Sequence, residues 1–304
     1  MCCLFGIYDY GLGLSMKQKN RFLSALALAS EARGTDATGI AYHSGQDLCI
    51  NKLPLPGRWM RFKVPADTVA VMGHTRMATQ GSARRNRNNH PFLGHTKEGD
   101  FALAHNGVLY NDELLRDQLD LPKTKIETDS YAAVQLLEQQ GQLDTASLRY
   151  MAEQVRGSFT FTVLDKEDTL HVVKGDNPFC LYHFPKRKLY AYASTKEILI
   201  QALARVNMTG GKEVPVSGGE ILQIRADGRI LRDQFDDSAL LMGTTPWWRS
   251  WWHETPEPAA DQLYLEELRS VATAFGYTRE NIDSLLEQGF TTDEIEEFLY
   301  CGEC

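Results

Sequence analysis

The chain begins Met1-Cys2-Cys3-Leu4-Phe5-Gly6-Ile7-Tyr8, which places two thiols directly before a run typical of a buried β-strand. A thiol attacks an amide carbon only when a base takes its proton and donors hold the resulting oxyanion. If Met1 is removed, the α-amine of Cys2 can be that base, because an α-amine titrates at about pH 7.7–8.0. Taken alone, the two thiols fit a frayed end or a buried first strand at least as well.

The composition indicates a globular protein with an acidic end. The 304 residues are 43% hydrophobic and 24% charged, and the sequence has neither a membrane-spanning run of about 18 apolar residues nor a secretory signal. The net charge is −8, yet residues 254–304 carry thirteen Asp and Glu against two Arg. The remaining chain is therefore slightly basic, and the balance argues against a nucleic-acid partner and against a membrane location.

The cysteines are too few and too scattered for a disulfide framework, which predicts a reducing compartment, the cytoplasm. Cys301-Gly-Glu-Cys304 is a CxxC, but no second pair stands at a metal-binding spacing, so an exposed tail is the favoured interpretation. We expect neither a metal nor a cofactor. The cysteines are Cys2, Cys3, Cys49, Cys180, Cys301 and Cys304.

Strand-like runs follow one another along the chain instead of alternating with helices. This order predicts antiparallel sheets with helices packed outside them, and it excludes a doubly wound parallel sheet. Ser15 and Gln18 form a capping box that should begin the first helix. Further helices are predicted near 129–140, 145–156 and 195–206, the first two ending at Gly141 and Gly157. The predicted strands are 4–8, 38–43, 48–53, 68–74, 101–107, 158–165, 170–175, 179–184, 189–194 and a hairpin at 220–235.

Four short blocks carry the chemistry: 33–39 (RGTDATG), 73–81 (GHTRMATQG), 105–111 (HNGVLYN) and 127–129 (ETD). In this order and at these spacings, the sequence resembles the glutaminase domain of class II glutamine amidotransferases, within the N-terminal-nucleophile hydrolases. The resemblance covers roughly residues 2–235. It implies an α+β fold, a four-layer αββα sandwich of two antiparallel sheets, to which this chain adds a small C-terminal helical appendage.

The resemblance assigns the catalytic residues. Cys2 matches the family's nucleophile, since Gly6 then meets the family's glycine four residues on, and Cys3 receives no role. Asn106 through its side chain and Gly107 through its backbone N–H match the oxyanion donors. Glycine at 107 also lets the backbone approach a substrate closely.

Substrate recognition is predicted from the charges that glutamine carries. Arg76 offers a planar fork for the α-carboxylate, and Asp129 offers a negative partner for the α-ammonium. Thr79 matches the family's glutamine-covering loop, and His105 is counted among the substrate-binding residues. A lone Arg or Asp would more often form a structural ion pair, but the joint pattern favours substrate binding. Arg33 and Asp36 are expected to hold the architecture.

The sequence departs from relatives that make glucosamine phosphate, which have Trp and His where this chain has Met77 and Gln80. Residues 82–91 look closer to the phosphoribosyl-transfer type. The three arginines of this segment could face an anionic acceptor, a partner or the acidic tail, and a solvated loop is an equal alternative. Ser217-Gly-Gly-Glu220 leads into a strand and not a helix, so we interpret it as a turn and not a pyrophosphate loop.

Three domain regions are predicted: a glutaminase domain at 2–236, a Trp- and Pro-rich linker at 237–260, and an acidic helical tail at 261–304 with helices near 261–275, 279–288 and 292–300. The tryptophan run at 247–252 could form an interface or cover the end of the core. We expect hydrolysis of glutamine, with ammonia passed to a separate synthase subunit. The alternatives are an amidase on another γ-glutamyl amide and a glutamine-sensing or docking module. A homo-oligomer is compatible with the sequence.

Overall fold

The computed structural model describes residues 2–238 and 240, together with 269, 272, 277–288, 290, 292 and 295. The chain divides into two compact units, Met1–Thr245 and Pro246–Cys304. In the described part, no helix is long and apolar enough to cross a membrane.

The first unit is built on two antiparallel sheets. One sheet has the strand order β11-β9-β10-β1-β4-β2-β3, and the other has the order β13-β12-β8-β7-β6-β5. The strands are β1 (Cys3–Tyr8), β2 (Ala37–Ser44), β3 (Asp47–Leu53), β4 (Ala70–Arg76), β5 (Phe92–His95), β6 (Asp100–Leu109), β7 (Gly157–Leu164), β8 (Leu170–Lys174), β9 (Cys180–Phe184), β10 (Leu189–Ala193), β11 (Lys212–Val214), β12 (Glu220–Ile224) and β13 (Ile230–Gln234).

Helices cover the outer face of each sheet. The helices of this unit are α1 (Met16–Ala29), α2 (Asp112–Gln118), α3 (Tyr131–Gln140), α4 (Thr145–Gln154) and α5 (Lys196–Arg205). Helices α1 and α5 share an apolar core with the first sheet, and α3 and α4 share another with the second sheet. A third apolar cluster, which includes Leu4, Met72 and Leu222, joins the two sheets. The predicted four-layer αββα sandwich is confirmed.

The local signals account for most element boundaries. The Ser15–Gln18 capping box is present at the start of α1, and α3 ends immediately before Gly141, as predicted. Helix α4 ends at Gln154, earlier than expected, and Gly157 begins β7 instead of stopping the helix. A Cβ at Gly157 would lie 2.1 Å from the Val108 carbonyl oxygen, so glycine is needed there for β7 to pair with β6.

The register of the first sheet places Cys2 beside the arginine block. Strand β1 lies between β10 and β4, and Cys3 pairs with Thr75. Arg76 therefore ends β4 next to the point at which Cys2 enters the sheet. The oxyanion block lies on β6 of the facing sheet, where Asn106 pairs with Thr160 of β7.

In the second unit, helix α6 (Arg279–Glu287) lies where a helix is predicted near 279–288, and it begins with a capping box between Thr278 and Asn281. Ala272, Ile282 and Ile295 are buried together. The tryptophan run at 247–252 and Cys301 and Cys304 lie outside the described residues, as does most of the predicted helices near 261–275 and 292–300.

Candidate active site

The structure brings most of the predicted site residues to one pocket. Six of the seven line it: Cys2, Arg76, Thr79, His105, Gly107 and Asp129. The seventh, Asn106, lies between His105 and Gly107 on β6 and is 1% exposed. Its Nδ2 donates to Ser194 Oγ at 3.4 Å, a weak contact that leaves the amide close to β1.

Cys2 is half-buried at the start of β1 and is held at both its backbone and its thiol. Its carbonyl oxygen accepts a hydrogen bond from Arg33 Nε at 2.8 Å, and its Sγ donates to the Met77 carbonyl oxygen at 3.5 Å. Burial raises the pKa of the Cys2 thiol, and the Met77 contact and the positive charge of Arg76 oppose that effect only partly. The thiol is therefore protonated at neutral pH and needs a base before it can attack.

Cys3 is fully buried, and its Sγ donates to the Leu4 carbonyl oxygen at 3.2 Å. Burial raises the pKa of this thiol as well. Among the described residues that line the pocket, Cys2 is the one cysteine, and this agrees with its assignment as the nucleophile.

Arg76 joins β4 to the segment that follows it. It is 3% exposed, and its Nη1 donates to Asn89 Oδ1 at 2.9 Å. Its Nη2 donates to the carbonyl oxygens of Gln80 and Gly81, the latter at 2.9 Å. Asp36 Oδ2 accepts from the Ala78 N–H at 2.8 Å. These bonds hold the loop of residues 77–81 over the pocket, and we call this segment the covering loop.

Asp129 lies in the turn before α3 and is 4% exposed. Its Oδ2 accepts from the Leu109 N–H at 2.6 Å, and its Oδ1 accepts from Ser130 Oγ at 3.2 Å. Its own N–H donates to Gln80 Oε1 at 2.8 Å. The carboxylate is thus fixed against β6, and the covering loop is attached to the same residue.

The backbone at Gly107 requires glycine. Its φ is +143°, and a Cβ there would lie 1.9 Å from the Ser158 carbonyl oxygen. Two buried histidines frame this part of β6. The His105 ring stacks on Phe161 and lies 2.8 Å from Ser130 Oγ, and His74 Nε2 donates to the His105 carbonyl oxygen at 2.9 Å. Burial lowers the pKa of His105 and lowers that of His74 to about 3, so both rings are neutral at neutral pH.

Sequence reasoning gave no role to Gln80, His90, Thr128 or Ser130, which line the same pocket. Gln80, Thr128 and Ser130 stand inside or beside one of the four blocks, and His90 lies in the segment 82–91. A single sequence offers no periodicity that separates a pocket-lining polar residue from a solvated one. No group of three or more His, Cys, Asp or Glu among the described residues could hold a metal ion.

Two antiparallel sheets between helical layers, with a cysteine at the start of a central strand, form the fold of the N-terminal-nucleophile hydrolases. Residues 74–201 match a family model described as a glutamine amidotransferase domain. The chain is 35% identical over 156 residues to a glutamine–fructose-6-phosphate aminotransferase (isomerizing) of Halalkalibacterium halodurans, covering 48% of this chain and 25% of the relative. The corresponding protein of Lactococcus lactis is 32% identical over 163 residues, covering 50% and 26%.

The fold is also similar to that of a solved structure, the glutamine phosphoribosylpyrophosphate amidotransferase from B. subtilis complexed with ADP and GMP. The TM-score is 0.60 at 22% identity, over 77% of this chain and 49% of that one. The chain spans about a quarter of the length of the curated relatives that it matches. Over residues 74–201 the chain therefore carries a glutamine amidotransferase domain.

Proposed function

We propose that the chain hydrolyses L-glutamine to glutamate and ammonia through a γ-glutamyl thioester on Cys2. The observation that carries this proposal is the meeting of Cys2, Arg76, Gly107 and Asp129 at one pocket. These residues supply a nucleophile, a cation for a carboxylate, an oxyanion donor and an anion for an ammonium group. Glutamine presents the matching groups in a single small molecule.

The Cys2 α-amine, once free, accepts the thiol proton as Sγ attacks the carboxamide carbon. The Gly107 N–H and Asn106 Nδ2 donate to the oxyanion. The amide nitrogen of glutamine then takes the proton from the α-ammonium group of Cys2 and leaves as ammonia. Water then attacks the thioester carbon and gives up a proton to the same amine. The C–S bond breaks, Sγ takes that proton back from the amine, and glutamate is released. The raised pKa of the thiol is the reason that this base is needed.

Entry of glutamine requires the covering loop to open. The pocket encloses only about 10 Å³, enough for about one water molecule. The covering loop is held by the bonds from Arg76 to Gln80 and Gly81 and by the bond from Asp129 N–H to Gln80. Glutamine would replace part of these bonds with contacts to its own head group, so the loop can close again over bound substrate.

The ammonia acceptor is proposed to bind to a separate synthase subunit. The aminotransferase relatives have about four times the matched length, and their names refer to fructose 6-phosphate. The matches cover 48% and 50% of this chain and about a quarter of each relative. We further propose that the protein acts in the cytoplasm, where a reducing environment keeps the Cys2 thiol free.

The test combines a glutaminase assay with intact-mass spectrometry of the chain after brief exposure to glutamine. We expect ammonia release and a γ-glutamyl adduct on the wild type, and neither on Cys2→Ala. Faster turnover of another γ-glutamyl amide than of glutamine would favour the stand-alone amidase. Glutamine binding with neither an adduct nor ammonia would reduce the domain to a sensing module and overturn the proposal.

A further inference from the structure

Two buried polar side chains in the Cys2 pocket have no hydrogen-bond partner in the described part of the chain. His90 is 4% exposed, and neither Nδ1 nor Nε2 of its ring is bonded. Thr128 is 2% exposed, and its Oγ1 is also unbonded. Both residues line the pocket that Cys2 lines.

These two stand out because the other buried polar side chains of the pocket are satisfied. His105 and Ser130 contact each other, and Asp129 accepts from Leu109 N–H and Ser130 Oγ. A buried polar atom without a partner costs free energy, so native proteins pair almost all of them. Eight other described residues also have such an atom, but none of them lines this pocket. Two unpartnered groups on the walls of one ligand pocket point to a partner that arrives with the ligand.

His90 is fixed in place and uncharged. Its ring lies 4.2 Å from the His74 ring and 4.4 Å from the Phe92 ring, measured between centroids. Burial lowers the pKa of His90 well below its ordinary value, and His74, His105, Arg76 and Lys52 act in the same direction. A neutral imidazole keeps one N–H donor and one acceptor nitrogen. It can therefore donate to an anionic group without adding a charge to the pocket.

His90 and Thr128 each neighbour a residue that serves one end of an amino-acid head group. His90 follows Asn89, whose Oδ1 holds the Arg76 guanidinium. Arg76 is also among the charges that act on the His90 ring. Thr128 directly precedes Asp129, and neither His90 nor Thr128 belongs to the covering loop. His90 is thus next in sequence to the residue that holds the carboxylate partner, and Thr128 is next to the ammonium partner.

We propose that His90 and Thr128 complete the recognition of the glutamine head group: the His90 N–H donates to the α-carboxylate beside Arg76, and Thr128 Oγ1 accepts from the α-ammonium beside Asp129. This inference rests on the proposed glutaminase function. It makes both residues determinants of specificity for α-amino acid amides over simple amides.

The experiment compares glutamine with two analogues that each lack one half of the head group. 4-Aminobutanamide lacks the α-carboxylate, and 4-carbamoylbutanoate lacks the α-ammonium. Each is assayed by kcat/KM, or by its inhibition constant where turnover is too slow. The variants are His90→Phe, which keeps an aromatic ring against His74 and Phe92, and Thr128→Val, which keeps the shape of the side chain.

For glutamine, each variant should raise KM by roughly tenfold or more, the usual effect of losing a hydrogen bond to a charged group. The penalty of His90→Phe should vanish with 4-aminobutanamide, and that of Thr128→Val should vanish with 4-carbamoylbutanoate. His90→Gln, which restores a donor, should recover part of the affinity for glutamine. Alkylation of Cys2 by iodoacetamide, which has no head group, should be unchanged in all three variants.

A matched control is His183→Phe, since His183 also stacks on an aromatic ring, Tyr190 at 4.2 Å, but lies outside the pocket. It should leave KM for glutamine unchanged. Equal penalties on glutamine and both analogues, or altered alkylation, would show a structural role and overturn the inference, as would an unchanged KM. A wild-type chain with neither turnover nor adduct would instead contradict the proposed function.

Discussion

At the scale of single residues, the two adjacent thiols are separated by burial and not by chemistry. Cys2 lines the pocket, whereas Cys3 is fully buried with its Sγ on a backbone carbonyl. Cys2→Ala should abolish glutamine hydrolysis, and Cys3→Ala should keep most of it.

A residue that stays fused before Cys2 should also abolish hydrolysis, because the α-amine would then be an amide without basicity. Ammonia release measured on cleaved and uncleaved tagged chains checks this, and full activity of the uncleaved form would contradict it.

Substitutions of the recognition residues should mainly raise KM, whereas a substitution of an oxyanion donor should mainly lower kcat. Arg76→Ala and Asp129→Ala remove charged partners of the head group, so each should weaken the use of glutamine by about ten- to a hundredfold, mainly through KM. Asn106→Ala should instead lower kcat by about 10²–10³ if Nδ2 stabilises the oxyanion. Steady-state kinetics on the three variants make the comparison. An effect of Asn106→Ala on KM alone would be incompatible with the oxyanion role.

The reactivity of the free thiol should depend on pH in the direction that burial sets. Burial raises the pKa of Cys2, so at any pH near neutrality the thiolate fraction is smaller than that of a free cysteine. The rate of alkylation of Cys2 by iodoacetamide should therefore rise with pH, and the midpoint of this rise should lie above the usual thiol pKa of about 8.5. Arg76→Ala removes a positive charge that opposes the shift, so its midpoint should be higher still. Labelling rates by mass spectrometry across pH test both statements, and a midpoint below that of free cysteine would contradict them.

At the scale of elements, the sequence predicts what depends on local patterns. The succession of strands along the chain, the capping box of α1 and the end of α3 were all predictable, because apolar alternation and capping chemistry act within a few residues. The short helix α2 and the edge strand β5 were not predicted, since neither carries a periodic run long enough to detect. The sequence pattern at Gly157 predicts a helix stop. Only the structure shows that a Cβ at this position would meet the Val108 carbonyl oxygen, so that strand pairing requires glycine.

The same division applies to the site. The blocks around Arg76, Asn106 and Asp129 could be predicted because their spacing matches a family. The partners that hold them could not, since Asn89, Leu109 and Ser194 reach the site through the fold and not through adjacency in sequence. The lack of partners for His90 is a three-dimensional property, so no sequence pattern could indicate it.

A helix cap gives an element-scale prediction. Asp144 caps α4: its Oδ1 accepts from the Ser147 N–H at 2.8 Å, and Ser147 Oγ lies 2.9 Å from the Asp144 N–H. Asp144→Ala should lower the free energy of unfolding by about 1 kcal/mol, as is usual for a lost N-cap. Glutamine kinetics should not change, because Asp144 does not line the Cys2 pocket. Urea unfolding measures the change in the free energy of unfolding. Ser15→Ala, which removes the N-cap of α1, is the variant for comparison and should show a loss of similar size.

At the scale of the whole molecule, the described residues that form the two-sheet core and the Cys2 pocket lie in the first unit, Met1–Thr245. In the described part of the chain, its three apolar clusters use residues no later than Leu240, and the pocket uses residues no later than Ser130. Among the described residues of the acidic end, Ala272, Ile282 and Ile295 form a separate cluster. A segment of about forty residues buries too little surface to be robust alone. Catalysis should therefore not depend on this end, which we propose to be a docking or regulatory element.

A chain that ends at residue 253 should then remain folded and hydrolyse glutamine with the kcat and KM of the full chain. The matched control is a chain that ends at residue 205, which loses β11, β12 and β13 and leaves β8 without its partner strand β12. That shorter chain should fail to fold, because the deletion removes Leu222 and Ile224 from the apolar cluster between the sheets. Thermal unfolding and ammonia release on the three chains decide the matter. If the chain ending at residue 253 is insoluble or inactive, the acidic end belongs to the catalytic fold and a docking role for it is wrong.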